Sequence, residues 1–189
     1  MSSLAQLEGL VAPERLRPLR RAEYERMVDQ GLFQDERIEL LKGAIVEMSP
    51  QGAPHAATVQ RLTRLAIALN GRAEVRIQLP LAVTDDSLPE PDLALVAPGD
   101  YDRSHPTTAF LVVEVADSSL NKDRSIKAEL YARAAVPEYW IANIASRTIE
   151  VHSEPLGGRY TRVTPYRPGE VIRLTSFGDV EVAVADILR

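Results

Sequence analysis

The chain has 189 residues, 45% of them hydrophobic and 26% charged, with a formal net charge of −5 and no cysteine. This composition is typical of one folded domain, and it excludes disulfides, thiol nucleophiles and zinc sites built on cysteine. Three histidines and an acidic balance favour oxygen ligands for any metal ion and disfavour tight, unspecific binding to duplex DNA. We expect a short N-terminal arm over residues 1–19 and a single domain over residues 20–189, located in the cytoplasm, since no segment is apolar enough to cross a membrane.

The first third of the chain is predicted to form a helix followed by a β-hairpin. Residues 20–30 carry apolar side chains at helical spacing before a glycine that ends the helix. Residues 37–41 and 44–48 then flank a Lys-Gly pair, which is the spacing of a tight hairpin whose glycine adopts a positive φ. For the two charged positions of this hairpin, Glu39 and Glu47, exposure to solvent is the ordinary expectation.

A second helix is predicted over residues 53–70, where apolar positions recur every three or four residues. His55 lies in its first turn, where backbone N–H groups are free and the helix dipole attracts anions. A histidine there can donate a hydrogen bond to a phosphate or orient a water molecule, but such a position is as often incidental. Both interpretations of His55 stay open from the sequence alone.

Three strands are expected next, and the third begins at a carboxylate. Residues 73–79 alternate apolar and polar side chains, residues 81–84 form a second strand-like stretch, and residues 92–96 form the third. Pro91 fixes the backbone just ahead of Asp92, which therefore enters an apolar strand. An aspartate at this place either marks the edge of a turn or belongs to a site shared with a neighbouring strand.

The strand predicted over residues 110–116 is the most informative stretch of the sequence. Its continuous run of leucine and valine is typical of a central strand covered on both faces, and Val112, Glu114 and Ala116 share one face. Burying an ionised glutamate without a partner costs several kcal/mol. We therefore expect Glu114 to contact a metal ion, a lysine or an arginine, in either a functional site or a structural salt bridge.

A helix is predicted over residues 121–134, with two adjacent stripes of side chains. The apolar stripe consists of Ile126, Leu130 and Ala134. The second stripe consists of Asp123, Lys127 and Tyr131. Asp123 and Lys127 either form an exposed pair four residues apart, which is the commoner arrangement, or belong to a stripe that borders the sheet and directs Lys127 at the carboxylates.

The last third of the chain is predicted to contain strands. Residues 136–142 form one more core strand, and short strands over residues 147–152, 160–163 and 171–174 form a β-decoration that covers an edge of the sheet. His152 is expected to face solvent or a neighbouring side chain. The order helix, strand, strand, strand, helix, strand across the middle of the chain predicts a mixed α/β core.

Two carboxylates on neighbouring strands, with a lysine on the next helix, suit a Mg²⁺ or Mn²⁺ site, because hard cations bind oxygen ligands and keep several waters. Such a cation activates water and neutralises charge in phosphodiester hydrolysis, while a nearby lysine positions or deprotonates the attacking water. The sequence has no phosphate-binding glycine loop, serine-hydrolase elbow, zinc-protease motif or dinucleotide fingerprint. A glycosidase also pairs carboxylates, but it requires no lysine, and this chain has few aromatic side chains to bind sugars.

Several short motifs resemble those of the Uma-type restriction endonucleases, which belong to the PD-(D/E)XK nuclease superfamily. They are Arg37-Ile-Glu-Leu-Leu-Lys-Gly-Ala-Ile-Val-Glu-Met-Ser-Pro50, His55, Pro91-Asp92, Val113-Glu114-Val115, the stripe of Asp123, Lys127 and Tyr131, and Val136-Pro-Glu-Tyr-Trp140. Each motif alone is weak, but their order makes the resemblance specific over roughly residues 20–187. It implies a restriction-endonuclease-like mixed β-sheet flanked by helices, with added N-terminal and C-terminal β-hairpins.

The resemblance also implies roles for five residues. Asp92 and Glu114 match the two acidic metal ligands of the superfamily, with the Val115 carbonyl as a third ligand. His55 lies in the first core helix, where relatives often place an auxiliary acidic or polar residue. Glu39 matches the glutamate of the family's hairpin, which favours a supporting role in the site over simple exposure to solvent.

One position departs from the superfamily pattern. Its lysine is expected two residues after Glu114, where this chain has Ala116, so Lys127 from the following helix is the candidate substitute. The resemblance implies a Mg²⁺- or Mn²⁺-dependent endonuclease that hydrolyses phosphodiester bonds in DNA, and by analogy a homodimer whose two sites cut two strands. The alternative is a lapsed nuclease that only binds nucleic acid or protein, which we expect if Lys127 points to solvent.

Overall fold

The computed structural model describes residues 16–69 and 71–189 of the chain. Residues 1–15, most of the predicted N-terminal arm, lie outside the described residues. The helices are α1 (Arg21–Asp29), α2 (Ala53–Ile67), α3, built from the consecutive segments Leu120–Lys122, Asp123–Lys127 and Ala128–Arg133, and α4 (Val184–Ile187). The strands are β1 (Ile38–Leu41), β2 (Ala44–Glu47), β3 (Glu74–Arg76), β4 (Leu93–Val96), β5 (Leu111–Ala116), β6 (Glu138–Asn143), β7 (Thr148–Leu156), β8 (Arg159–Tyr166), β9 (Val171–Arg173) and β10 (Glu181–Ala183). None of these helices is both long enough and apolar enough to cross a membrane.

A six-stranded sheet forms the core, with the strand order β3-β4-β5-β6-β7-β8. β5 and β6 pair in parallel, and α3 makes the crossover that two parallel strands require. The other neighbouring strands of this sheet pair antiparallel. The predicted mixed α/β fold, a mixed sheet flanked by helices and extended by hairpins, is confirmed.

The two faces of β5 pack against different helices, because side chains alternate along a strand. Val113 and Val115 belong to the apolar cluster formed with α2 and α4. Val112 and Ala116 belong to the cluster formed with α3. Glu114 shares the face of Val112 and Ala116, so its carboxylate meets α3, in agreement with the predicted alternation.

The hairpin of β1 and β2 docks on the rest of the fold at its turn and along β1. Lys42 and Gly43 have φ values of 49° and 76°, which is the two-residue turn predicted from the Lys-Gly pair. Leu40 bridges to Leu88, and the Lys42 ammonium lies 2.5 Å from a carboxylate oxygen of Glu129 on α3. β1 is buried along its whole length and therefore carries its side chains into the protein.

Residues 81–84 do not form the predicted strand, and the strand predicted over residues 73–79 is reduced to β3. Gln78 adopts a positive φ of 51°, and Pro80 has no N–H to donate, so the ladder cannot continue beyond β3. The backbone N–H groups that follow donate to loop carbonyls instead. This turn of the chain brings the Gln78 side chain to Asp92.

The segment Asp123–Lys127 of α3 is a π-helix, which the spacing of apolar residues did not predict. The wider turn rotates the side chains before it relative to those after it. Ile126 belongs to the predicted apolar stripe but is 37% exposed, whereas Lys127 is 2% exposed. The predicted apolar stripe of Ile126, Leu130 and Ala134 is therefore interrupted at this turn, because Leu130 is buried and Ile126 is exposed.

The C-terminal strands cover the edge of the sheet by adding to it. β7 pairs with β6 and β8 pairs with β7, so both extend the main sheet, while β9 and β10 form a separate ribbon. His152 of β7 is buried against the rings of Tyr139 and Tyr160. It therefore faces neighbouring side chains, which is one of the two environments expected for it.

Candidate active site

A cleft opens at the carboxyl end of β5, between the start of α2 and the first turns of α3. Residues 48–52 and 117–119 border it, and its cavity volume of about 70 Å³ has room for more than one water molecule. The predicted site residues that line it are His55, Asp92, Glu114, Val115 and Lys127. Glu39 joins them indirectly, through its contact with Lys127.

Asp92 is fixed by hydrogen bonds to both of its carboxylate oxygens. Oδ2 accepts the Val115 N–H at 2.8 Å and lies 3.1 Å from His55 Nε2, while Oδ1 accepts the Gln78 side-chain amide at 3.1 Å. Burial opposes ionisation, but His55 and these hydrogen bonds hold the pKa of Asp92 below its ordinary value. Because an ionised carboxylate only accepts hydrogen bonds, the proton of a neutral His55 ring lies on Nε2.

Glu114 is held through one of its two oxygens. Oε1 accepts a hydrogen bond from Lys127 Nζ at 2.8 Å and another from the Tyr131 hydroxyl at 2.6 Å. Within the described part of the chain, Oε2 accepts none. Burial outweighs the attraction of Lys127 and raises the pKa of Glu114 to about 8. A bound cation would favour the ionised carboxylate, so cation binding here is coupled to proton release.

Lys127 reaches the carboxylates from α3, and the alternative of an exposed pair with Asp123 is wrong. Its Nζ lies 2.8 Å from Glu114 Oε1 and 3.1 Å from Glu39 Oε2. Burial by itself would lower the pKa of Lys127, but the two carboxylates raise it above the ordinary lysine value. The side chain is therefore an ammonium at physiological pH.

Glu39 on β1 is fully buried, so the expectation that it faces solvent is wrong, whereas Glu47 on β2 is exposed as expected. Glu39 Oε1 accepts a hydrogen bond from Lys122 Nζ at 2.7 Å, and Oε2 contacts Lys127. Burial opposes its ionisation, but the two ammonium groups lower the pKa of Glu39 below its ordinary value. The hairpin thus supplies a second counter-charge for Lys127.

Sequence reasoning missed two residues of this cluster, Gln78 and Lys122, and placed Asp123 on the stripe of Lys127 without assigning it a role in the site. Gln78 and Lys122 meet their partners across 14 and 83 positions of the chain, so no local pattern marks them. Asp123 lines the cleft with Lys127. The spacing of four residues between Asp123 and Lys127 was a sign that both belong to one site, but the same spacing is common in exposed ion pairs.

The donor set of the cleft fits a hard cation that keeps part of its water shell. Asp92 and Glu114 line the cleft from the neighbouring chain segments of β4 and β5, and Glu114 has an oxygen left over. Across residues 16–69 and 71–189, no three His, Asp or Glu side chains are grouped to hold a metal ion. Mg²⁺ commonly binds through one or two carboxylates and several waters, and two side chains with main-chain oxygen meet that requirement.

Known proteins share both the sequence pattern and the fold of this chain. The family Uma2, described as "Putative restriction endonuclease", matches residues 21–185. A crystal structure of "a putative nuclease belonging to DUF820" from Anabaena variabilis superposes with a TM-score of 0.68 at 12% identity, covering 90% of this chain and 97% of that chain. No curated protein matches the sequence. The predicted resemblance to the Uma-type proteins is confirmed, and the chain belongs to the Uma2 family.

Proposed function

We propose that the chain is a Mg²⁺- or Mn²⁺-dependent endonuclease that hydrolyses phosphodiester bonds in DNA. One observation carries the proposal: the Lys127 ammonium lies 2.8 Å from Glu114, in the cleft that Asp92 also lines. Two carboxylates and a lysine are the groups that the resembling superfamily uses. Here the lysine comes from α3, because the usual lysine position is occupied by Ala116. The description of the family as a restriction endonuclease supports the same reaction.

Asp92, Glu114 and the Val115 carbonyl would hold the cation. When bound, it supplies an activated water and offsets the charge that develops on the phosphate. The Gln78 amide and the Val115 N–H already fix the Asp92 carboxylate, so this ligand needs little rearrangement. His55 Nε2 is a third group that positions Asp92.

Lys127 acts in this proposal as a charge stabiliser and not as a base. A lysine accepts a proton only after losing its own, and Glu114 and Glu39 both favour the ammonium form. The fixed positive charge then offsets negative charge on the substrate phosphate as the attacking oxygen bonds to phosphorus. Lys122 holds Glu39, and Glu39 in turn holds Lys127 in one position.

The proposal includes a homodimer, because cleavage of both DNA strands calls for two active sites. Two copies related by a two-fold axis place those sites in the symmetry of a duplex. Sedimentation velocity at the protein concentrations that support cleavage measures the oligomeric state. A monomer under those conditions contradicts the homodimer and leaves the proposed reaction standing.

The test of the reaction is isothermal titration of Mg²⁺ and Mn²⁺ into the purified protein, with plasmid cleavage followed in the same samples. We expect the wild type to bind Mn²⁺ and to nick plasmid only when the cation is present. Glu114→Gln should lose both properties while its circular dichroism spectrum stays that of the folded protein. Glu47→Gln, at an exposed glutamate of β2, is the matched control and should behave as wild type.

Two results contradict the metal-dependent nuclease. A folded wild type that binds neither cation would favour the alternative, a module of nuclease fold that binds nucleic acid or protein without cleaving it. A Glu114→Gln protein that unfolds instead of losing only cation binding would favour a structural ion-pair cluster, because an orphaned buried partner destabilises the fold.

A further inference from the structure

Asp123 is a buried carboxylate with one unused oxygen in the cleft. It is 1% exposed, and its Oδ2 accepts a hydrogen bond from the Ser119 hydroxyl at 2.5 Å. Its Oδ1 is also buried and has no hydrogen-bond partner among the described residues. Buried polar atoms are nearly always paired, so this oxygen is a place where a water molecule or a substrate group is expected to bind.

The π-helical turn of α3 places this carboxylate beside the lysine. Asp123 begins the turn and Lys127 ends it, and both are buried, whereas the three residues between them are exposed. The Tyr139 hydroxyl donates a hydrogen bond to the Asp123 carbonyl at 3.2 Å, which ties the turn to β6. Turns of this kind are rare and occur frequently at functional sites.

Lys127 and Asp92, two other buried groups of the cleft, already have partners. Lys127 is held as an ammonium by Glu114 and Glu39, and both oxygens of Asp92 accept hydrogen bonds. Glu114 Oε2 belongs to the cation in the proposed function. His55 Nδ1 is the second unpartnered buried atom of the described cleft, but the opposite nitrogen of its ring positions Asp92.

We propose that Asp123 is a catalytic residue that receives the proton of the attacking water. The inference rests on the proposed function, since it requires hydrolysis of a phosphodiester in this cleft. The water oxygen bonds to phosphorus, one water proton moves to Asp123 Oδ1, and the bond from phosphorus to the leaving sugar oxygen breaks. That oxygen takes a proton from solvent water, and Asp123 later returns its own proton to solvent.

The charges around Asp123 suit a group that gains and loses a proton. Burial raises the pKa of Asp123 above the ordinary aspartate value, Lys127 and Lys122 oppose the rise, and Asp92 adds to it. Asp123 in turn adds to the raised pKa of Glu114. A general base is most effective when its pKa approaches the working pH, and the shift is in that direction.

The test compares Asp123→Asn with the wild-type full chain in two assays, Mn²⁺ titration and steady-state cleavage of a labelled duplex. We expect unchanged Mn²⁺ affinity, unchanged KM, and a kcat lowered by about 100-fold or more, the usual contribution of a general base. Asp123→Ala should regain part of its kcat when formate is added, because formate replaces the missing carboxylate. Asp102→Asn removes the same charge from an exposed residue outside the cleft and should keep the wild-type kcat.

Several outcomes would overturn this role of Asp123. If Asp123→Asn loses its affinity for Mn²⁺, Asp123 would be a metal ligand. If Asp123→Asn keeps the wild-type kcat, Asp123 would have only a structural role. If formate fails to restore the kcat of Asp123→Ala while imidazole restores that of His55→Ala, the general base would be His55. These three results leave the proposed function standing, whereas a wild type that does not cleave removes both.

A second variant keeps the test decisive if Asp123→Asn does not fold. Ser119→Ala removes the hydroxyl that holds Oδ2 while leaving both Asp123 oxygens in place. It should lower kcat without changing KM or Mn²⁺ affinity, because the carboxylate loses its fixed orientation. An unchanged kcat in a folded Ser119→Ala protein would contradict the role of Asp123 as an oriented general base.

Discussion

Replacing Glu39 by glutamine perturbs the buried charges that hold Lys127. Glu39 lies 3.1 Å from Lys127 Nζ and 2.7 Å from Lys122 Nζ. At an effective dielectric constant of about 20, each contact contributes on the order of 5 kcal/mol of attraction, and the cost of burying the charges offsets most of it. Removing one partner leaves that cost uncompensated, so we expect the free energy of unfolding to fall by about 3–5 kcal/mol. The melting temperature should fall by roughly 6–20 °C in a chain of this length.

This loss of stability should depend on pH in a defined direction. The folded-state pKa of Glu39 is below its ordinary value of 4.5, because two ammonium groups outweigh the effect of burial. A depressed carboxylate pKa contributes stability that is fully present above the unfolded pKa and is lost as the pH falls through the folded pKa. The difference in the free energy of unfolding between wild type and Glu39→Gln is therefore largest near neutral pH and becomes smaller in acid.

Urea unfolding followed by circular dichroism, at neutral and at acid pH, measures both effects. Glu47→Gln is the control, since this glutamate is exposed on the partner strand and its loss should change the free energy of unfolding by less than about 0.5 kcal/mol. A Glu39→Gln protein as stable as this control at neutral pH would refute the reasoning. A difference that grows in acid would refute the ionised state assigned to Glu39.

Two further substitutions separate catalysis from stability and probe the hairpin turn. Lys127→Met should abolish plasmid cleavage and lower stability in urea, because it removes the ammonium that pairs with both Glu114 and Glu39. Adding Glu39→Gln should recover part of the stability but no cleavage, and recovered cleavage would contradict the role of the ammonium. Gly43→Ala should lower the free energy of unfolding by about 1 kcal/mol or more, because Gly43 has a φ of 76° and an added Cβ would collide with Pro18. An unchanged urea midpoint for Gly43→Ala would show that the turn relaxes around the new side chain.

The acidic residues and the lysine of the cleft could be predicted because each depends on the period of one element. Glu114 stands in a run of leucine and valine whose alternation fixes its face, and Asp92 follows a proline at the head of the neighbouring strand. Helical spacing placed Lys127 and Tyr131 on one side of α3, and both donate to Glu114. The roles of these residues in catalysis stay predictions.

The surroundings of the cleft could not be predicted because they depend on packing between distant segments. Glu39 has the local sequence of an exposed hairpin position, and its burial is decided by Lys122 and Lys127, more than eighty positions away. The π-helical turn has no marker in residue spacing, so the exposure of Ile126 was unforeseen. The loop around Gln78 departs from strand geometry through a positive φ, which glutamine rarely adopts.

The distance between Lys127 and Glu114 is set by the packing of α3 against β5, because the two residues lie on different elements. A lysine two residues beyond Glu114 would move with that strand, whereas here the helix and the sheet must keep their alignment for ammonium and carboxylate to stay in register. Misplacement of a reacting group by about 1 Å can cost on the order of 100-fold in rate. Val112 and Leu130 belong to the apolar cluster beneath α3 and do not line the cleft. In the proposed function the rigidity of this packing therefore matters for catalysis, because a shift of the helix along the sheet would move Lys127 away from Glu114 while every residue of the cleft stays the same.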